Sequence, residues 1–111
     1  MRLPVGAYAS ILHRITGLLL IVLTGFGLWL LKTSLESASE FHAVSGLLTE
    51  PWARVFGPLA VWAATQHLYG GIRHLTLDAH QGFGRRASRR SAVWVMALAV
   101  STALFAVIVW P

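Results

Sequence analysis

The sequence predicts an all-α membrane protein with three transmembrane helices. Apolar residues make up 56% of the chain, they are concentrated in three long segments, and charged residues flank those segments. A soluble domain of 111 residues cannot hide so many apolar side chains from water, whereas a bilayer solvates them. Because lipid offers no partner for backbone polar groups, spanning segments of this composition are helical.

The three predicted helices form a single transmembrane domain. The first covers about residues 10–32 and contains the uncharged run ITGLLLIVLTGFGLWLL. The second covers about residues 54–78 and turns polar in its second half. The third, about residues 90–110, contains AVWVMALAVSTALFAVIVW and no charge in that run. Crossing the hydrocarbon takes roughly 20 helical residues, so each segment is long enough.

The distribution of charge predicts the orientation. The loop at about 79–90 carries arginines and no acidic residue, whereas the loop at 32–54 carries three glutamates against two basic residues. The positive-inside rule therefore places the arginine loop and the N-terminus in the cytoplasm. The net charge of +5 is explained by topology, without a nucleic-acid partner. The arginines of this loop are Arg85, Arg86, Arg89 and Arg90.

The outer loop contains a further helical pattern. Phe41, Val44 and Leu48 are spaced to lie on one face of a helix. An apolar face on an otherwise polar segment is typical of a helix that lies in the membrane interface. The sequence therefore predicts a short interfacial helix between the first two spans.

The second predicted helix carries polar residues at a depth that lipid penalises. Within QHLYGGIRHLTLD, His67 and His74 are seven residues apart and share one helical face. Gly70 and Gly71 follow His67 by one turn. His67 lies roughly 16 Å from the cytoplasmic end of the helix, close to the bilayer midplane. Arg73 is near enough to that end to reach the lipid headgroups.

Three interpretations of His67 remain open on these residues. The imidazole can bond a neighbouring helix, with the glycines allowing close contact. It can belong to a proton relay, or it can ligate haem iron, for which neutral imidazole is well suited. The glycines favour haem, because a flat porphyrin against a helix needs missing side chains, and Gly70 and Gly71 would provide that recess. Structural zinc is disfavoured by the absence of cysteine and by the spacing of the histidines.

A second polar face begins the first helix. Ser10, His13, Arg14 and Gly17 stand at i, i+3, i+4 and i+7. Arg14 can simply anchor the helix among headgroups. Alternatively, its guanidinium can bind carboxylates. The hydroxyl, imidazole and guanidinium together can also hydrogen-bond a carbonyl oxygen of a small amphipathic molecule such as a quinone. Both polar faces are predicted at the same cytoplasmic depth, so one site can use both.

Together the two polar stretches resemble the signatures of the cytochrome b subunit of succinate dehydrogenase, the larger membrane anchor of respiratory complex II. The resemblance covers most of the chain, and its order, size and three-span layout agree. The matching residues are Ser10-x-x-His13-Arg14-x-Thr16 and His67-x-x-x-Gly71-Ile72-Arg73-His74-Leu75-x-x-Asp78.

The resemblance implies a heterodimeric helix bundle in which haem b is shared with a second haem-ligating anchor subunit. His67 would be this chain's axial ligand to the iron, and His13, Arg14 and His74 would contact the haem propionates. Ser10 and Arg14 would bind quinone. The flavoprotein and iron–sulfur subunits would carry FAD and the iron–sulfur clusters, so this chain holds no catalytic residue for succinate oxidation.

Other functions remain open at this stage. A quinol:fumarate reductase anchor would share these features, and a purely structural anchor without haem would share the helices. A cation transporter is disfavoured because the three spans embed no carboxylate. Since no transit peptide is evident, the sequence favours a bacterial inner membrane over a mitochondrial one.

Overall fold

The computed structural model describes residues 5–79 and 85–111, and within them the chain is helical and contains no strand. The prediction of an all-α protein is confirmed. The first helix begins before residue 10 and the last one before residue 90, so the described part of the predicted arginine loop is helical. Residues 80–84 of that loop lie outside the described residues. The four helices are α1 (Val5–Ser34), α2 (Ala38–Leu48), α3 (Pro51–Ala79) and α4 (Arg85–Val109).

The three long helices pack side by side into an elongated bundle. The described chain measures 56 × 25 × 24 Å, so its long dimension exceeds the roughly 30 Å of a bilayer's hydrocarbon core. The α3–α4 interface is the most extensive contact, followed by the α1–α3 interface. Small side chains fill the interior and let the helix backbones approach closely. The buried alanines are Ala9, Ala53, Ala63, Ala92, Ala99 and Ala106.

Helix α2 closes one end of the bundle. It begins at a defined cap, because the Ser37 side chain accepts a hydrogen bond of 3.1 Å from the backbone N–H of Glu40. Val44 is buried, and the indole nitrogen of Trp110 donates to the Leu48 carbonyl oxygen at 2.9 Å. The helix predicted from Phe41, Val44 and Leu48 is therefore present, and it lies where α4 ends.

Two helices are long and apolar enough to cross a membrane, namely Gly6–Ser34 within α1 and Arg89–Val109 within α4. Their large apolar side chains point away from the bundle, as Ile21 at 71% and Ile108 at 80% exposure illustrate. Helix α3 is not one of the two, because its polar second half lowers its hydropathy. Composition thus supports two of the three predicted spans. Whether α3 crosses the membrane must be argued from its packing against the other helices.

Contacts at both ends align α3 with α4 in antiparallel fashion. At the α2 end, Gly57 lies so close to the Trp110 indole that a side chain there would collide with it. At the opposite end, Arg73 Nε donates to Ser91 Oγ at 3.0 Å. Arg73 is only 7% exposed, so the structure directs it against α4 instead of toward the headgroups.

Candidate functional site

An open groove between α1 and α3 joins the two polar faces predicted from the sequence. It has a volume of about 690 Å³ and lies at the end of the bundle opposite α2. Helix α1 contributes Ser10, His13 and Arg14. These side chains meet α3 because the helices pack against each other over this length. The α3 residues that line the groove are His67, Leu68, Gly71, Ile72, His74 and Leu75.

Three imidazoles lie together in this groove. The rings of His13 and His67 are stacked, with their centroids 4.1 Å apart and their planes within 3° of parallel. The His74 ring lies 5.0 Å from that of His13 and is tilted by 58°. His13 of α1 therefore sits beside both α3 histidines, an arrangement that the spacing within either helix alone does not reveal.

The His67 imidazole is held against the backbone of α1. Its Nδ1 lies 3.0 Å from the His13 carbonyl oxygen and 3.4 Å from the Thr16 hydroxyl. Thr16 is fully buried, and its hydroxyl reaches the carbonyl oxygens of Leu12 at 2.7 Å and His13 at 3.0 Å. Sequence reasoning identified Thr16 only as part of a motif. Its position one turn after His13 on the same face was the available signal.

Three glycines make room for the histidine rings. A Cβ atom at Gly17 would lie 3.0 Å from His67 Cε1, and one at Gly70 would lie 3.0 Å from His13 Nδ1. At Gly71 the corresponding distance, to His13 Cε1, is 3.5 Å. In this chain the space beside Gly70 and Gly71 thus receives the His13 ring. Gly17, for which the sequence suggested no role, is the glycine that faces His67.

Two buried polar side chains lack partners in the described part of the chain. They are the His13 imidazole at Nδ1 and the Gln66 amide at both its nitrogen and its oxygen. Gln66 is 0% exposed and precedes His67 on α3. Leaving such groups unpaired costs about 1–3 kcal/mol each. Sequence reasoning missed Gln66, although an amide in the middle of an apolar helix is itself a signal.

The donors in the groove suit a haem better than a bare metal ion. Among the described residues, no cluster of three or more His, Cys, Asp or Glu side chains could hold an ion. A single histidine can hold haem iron, and His67 lines the groove. Exposed Arg14 and His74, which lines the groove, can bind carboxylates. The Asp78 side chain lies outside what the structure describes.

The chain is similar to known proteins over nearly its whole length. The profile of the family described as "Succinate dehydrogenase/Fumarate reductase transmembrane subunit" matches residues 1–108. The succinate dehydrogenase cytochrome b556 subunit of Paracoccus denitrificans is 29% identical over 109 residues, which cover 98% of this chain and 84% of that protein. The protein of the same name from Coxiella burnetii is 39% identical over 80 residues, covering 68% and 61%. The mitochondrial succinate dehydrogenase cytochrome B subunit of Schizosaccharomyces pombe is 33% identical over 100 residues, covering 86% and 56%.

The paired glycines allow a direct test of the α1–α3 contact. We expect Gly70→Ala to lower the melting temperature of the chain in detergent and to shift the NMR resonances of the His13 ring, because its new methyl would press on His13 at 3.0 Å. Gly71→Ala is the matched control, since its methyl would make an ordinary contact at 3.5 Å. Both variants share the gain of about 1 kcal/mol in helix propensity. Equal melting temperatures and an unmoved His13 signal would contradict the packing.

Proposed function

Because the chain belongs to the family of transmembrane subunits of succinate dehydrogenase and fumarate reductase, we propose that it is the cytochrome b anchor of a succinate:quinone oxidoreductase. One observation carries this proposal: the groove brings Ser10, His13 and Arg14 beside His67 and His74. A proton relay or a simple interhelical contact would not require this combination of a hydroxyl, a guanidinium and three imidazoles beside an open groove.

We further propose that α3 is the third span. It packs along α4 from Gly57, beside Trp110, to Arg73, beside Ser91. Since α4 is apolar enough to cross the membrane, a helix paired with it over this length would cross with it. His67 and His74 line the groove, and Gln66 and Arg73 are buried in the bundle, which makes these polar side chains tolerable at this depth.

In this proposal His67 ligates haem iron, while His13, Arg14 and His74 hold the haem carboxylates. Those carboxylates are costly to bury without partners, and the three side chains supply N–H donors that all line one groove. Gly71 lines the groove without adding a side chain to it, and Gly70 makes room for the His13 ring. A second anchor subunit would supply the other ligand to the iron. Bound haem b adds a one-electron carrier to the membrane domain.

The same groove would bind quinone through Ser10 and Arg14. The Ser10 hydroxyl would donate a hydrogen bond to one quinone carbonyl oxygen and fix the ring's orientation. Reduction of a quinone to a quinol takes two electrons and two protons. The Arg14 guanidinium would favour the negative charge that develops on the quinone oxygen before the protons arrive. Both residues line the groove in the first half of α1, the end at which protons would enter from the aqueous side in this topology.

The electrons would come from partner subunits. In this scheme a flavoprotein with FAD oxidises succinate to fumarate, and an iron–sulfur subunit passes the electrons one at a time to the anchor. This chain is then the non-dehydrogenase part of the enzyme, placed in a bacterial inner membrane with the arginine-rich start of α4 on the cytoplasmic side. The exposed apolar faces of α1 and α4 are available to lipid and to the second anchor.

Two related functions are separable by activity. The family also includes fumarate reductase subunits, and measuring succinate oxidation and fumarate reduction in one purified complex would identify the favoured direction. A purely structural anchor would hold the soluble subunits on the membrane without supporting quinone reduction. The groove argues against that alternative, because a tether does not need three histidines at this depth.

The three-span arrangement predicts on which side of the membrane each of two introduced cysteine thiols lies. The chain has no cysteine, so Glu36→Cys between α1 and α2 and Gln81→Cys between α3 and α4 can each carry the sole label. We expect a membrane-impermeant maleimide to label position 36 from outside and position 81 only from the cytoplasmic side. Labelling of both positions from the same side would mean that α3 does not cross.

Removing the proposed iron ligand should remove the haem signal. We expect His67→Ala to abolish the low-spin bis-histidine spectrum of the purified complex or to shift it strongly, because the variant lacks the imidazole that we propose as the iron ligand. His42→Ala, on exposed α2, is the matched control and should leave the spectrum unchanged. An unaltered spectrum in His67→Ala would disprove the ligand assignment.

Quinone reduction should depend on Arg14, whereas succinate oxidation should not. We expect Arg14→Leu to lower quinone reductase activity by about 100-fold, the loss typical of removing a group that stabilises developing charge. Succinate oxidation with a soluble dye acceptor should persist. Arg54→Leu, at the α2 end of α3, serves as the control for losing one arginine. Parallel loss of both activities in Arg14→Leu would indicate an assembly defect and argue against the proposed role.

A further inference from the structure

We propose that Thr16 and the main-chain carbonyl of His13 are the partners that fix the tautomer and orientation of the His67 imidazole, so that Nε2 is the nitrogen offered to the haem iron. Thr16 is then a positioning residue for the iron ligand, and Gly17 is the residue that lets the ring approach. The assignment of the tautomer rests on geometry alone. Its consequence for the iron rests on the proposed function.

The hydrogen bond at Nδ1 determines where the proton resides. His67 Nδ1 lies 3.0 Å from the His13 carbonyl oxygen. A carbonyl oxygen carries no proton and can only accept, so Nδ1 must be the donor. A neutral imidazole has a single N–H, which leaves the Nε2 lone pair free. Nε2 makes no hydrogen bond to any other described residue, and the His67 side chain lines the groove.

The Thr16 hydroxyl stabilises this arrangement from the side. Its single proton is best used on the Leu12 carbonyl oxygen, the shorter of its two contacts at 2.7 Å. Its own oxygen, 3.4 Å from His67 Nδ1, is then a second acceptor for the same N–H. Thr16 is fully buried and β-branched, so its side chain has little freedom to turn away. The hydrogen bonds of His67 Nδ1 and of the Thr16 hydroxyl are therefore all made to protein atoms.

Gly17 controls how close the ring can come. A Cβ atom there would lie 3.0 Å from His67 Cε1 and 3.4 Å from Nδ1. A methyl group there would press on the imidazole, so the ring would have to shift by a few tenths of an ångström away from the α1 backbone. Thr16 thus supplies an acceptor for the Nδ1–H of His67, and Gly17 leaves the space that the His67 ring needs to reach it.

A ligand held in this way binds iron differently from a free imidazole. Donation from Nδ1 to an acceptor fixes the ring and raises the basicity of Nε2. A more basic axial ligand favours the oxidised iron, and hydrogen bonding around the ligand is one of the means by which a protein sets haem potential. Loss of the Thr16 oxygen should therefore loosen the haem and raise its midpoint potential.

The test compares Thr16→Val, which keeps the shape and removes the oxygen, with Thr16→Ser, which keeps the oxygen, in the assembled complex. Thr24→Val, an exposed position on α1, controls for the same chemical change. Three quantities are measured: haem loss to an excess of scavenger, the haem midpoint potential, and the infrared band of ring-labelled histidine that reports Nδ1–H bonding. We expect roughly tenfold faster haem loss in Thr16→Val, a raised potential and a shifted band. Thr16→Ser and Thr24→Val should resemble the wild type.

The outcomes separate this inference from the proposed function. Haem loss, potential and band all unchanged in Thr16→Val would overturn the positioning role while leaving His67 as a haem ligand. Should Thr16→Val fail to assemble, Gly17→Ala takes its place, because it displaces the ring and keeps the hydroxyl. An unmoved histidine band in Gly17→Ala would equally overturn the inference. A wild-type complex without haem would overturn the proposed function and, with it, the consequence of this tautomer for the iron.

Discussion

The contact between the His67 imidazole and the α1 backbone at His13 connects the two polar faces of the chain. Without it, the histidines of α3 and the Ser10–Arg14 segment of α1 would be separate features on separate helices. Hydrogen bonds between membrane helices contribute only about 0.6 kcal/mol on average. The bond therefore orients the ring more than it stabilises the bundle, and close packing of small residues must hold the helices together.

Glycine placement makes that contact possible. Gly17 faces the His67 ring, and Gly70 faces the His13 ring, so each helix supplies a glycine where the other supplies an imidazole. This reciprocity allows the two rings to stack at 4.1 Å without forcing the helices apart. The groove remains open beside them because Gly71 adds no side chain to its wall.

The helices were predictable from the sequence because length, hydropathy and periodicity are local properties. The existence of α2 and the meeting of the two polar faces at one depth also followed from spacing, whereas the Ser37 cap of α2 was not predicted. The partners of individual side chains did not, because they depend on the rotation of each helix about its own axis. That rotation turns Gly70 toward His13, Arg73 toward Ser91, and the Gln66 amide into the interior. Helix α3 shows the limit of hydropathy, since its polar residues leave it outside the two helices that are apolar enough to cross a membrane, and its place as a third span is therefore argued from its packing against α4.

The proposed function depends on the His67 imidazole as a ligand to haem iron in the middle of the bilayer. The visible absorbance spectrum of the purified wild-type complex, recorded oxidised and then reduced with dithionite, tests this most directly. The account predicts an intense Soret band and the sharp α-band of a reduced low-spin haem b, with about one haem per copy of this chain. A complex that contains this chain together with its partners and remains colourless in the Soret region in both states would contradict it.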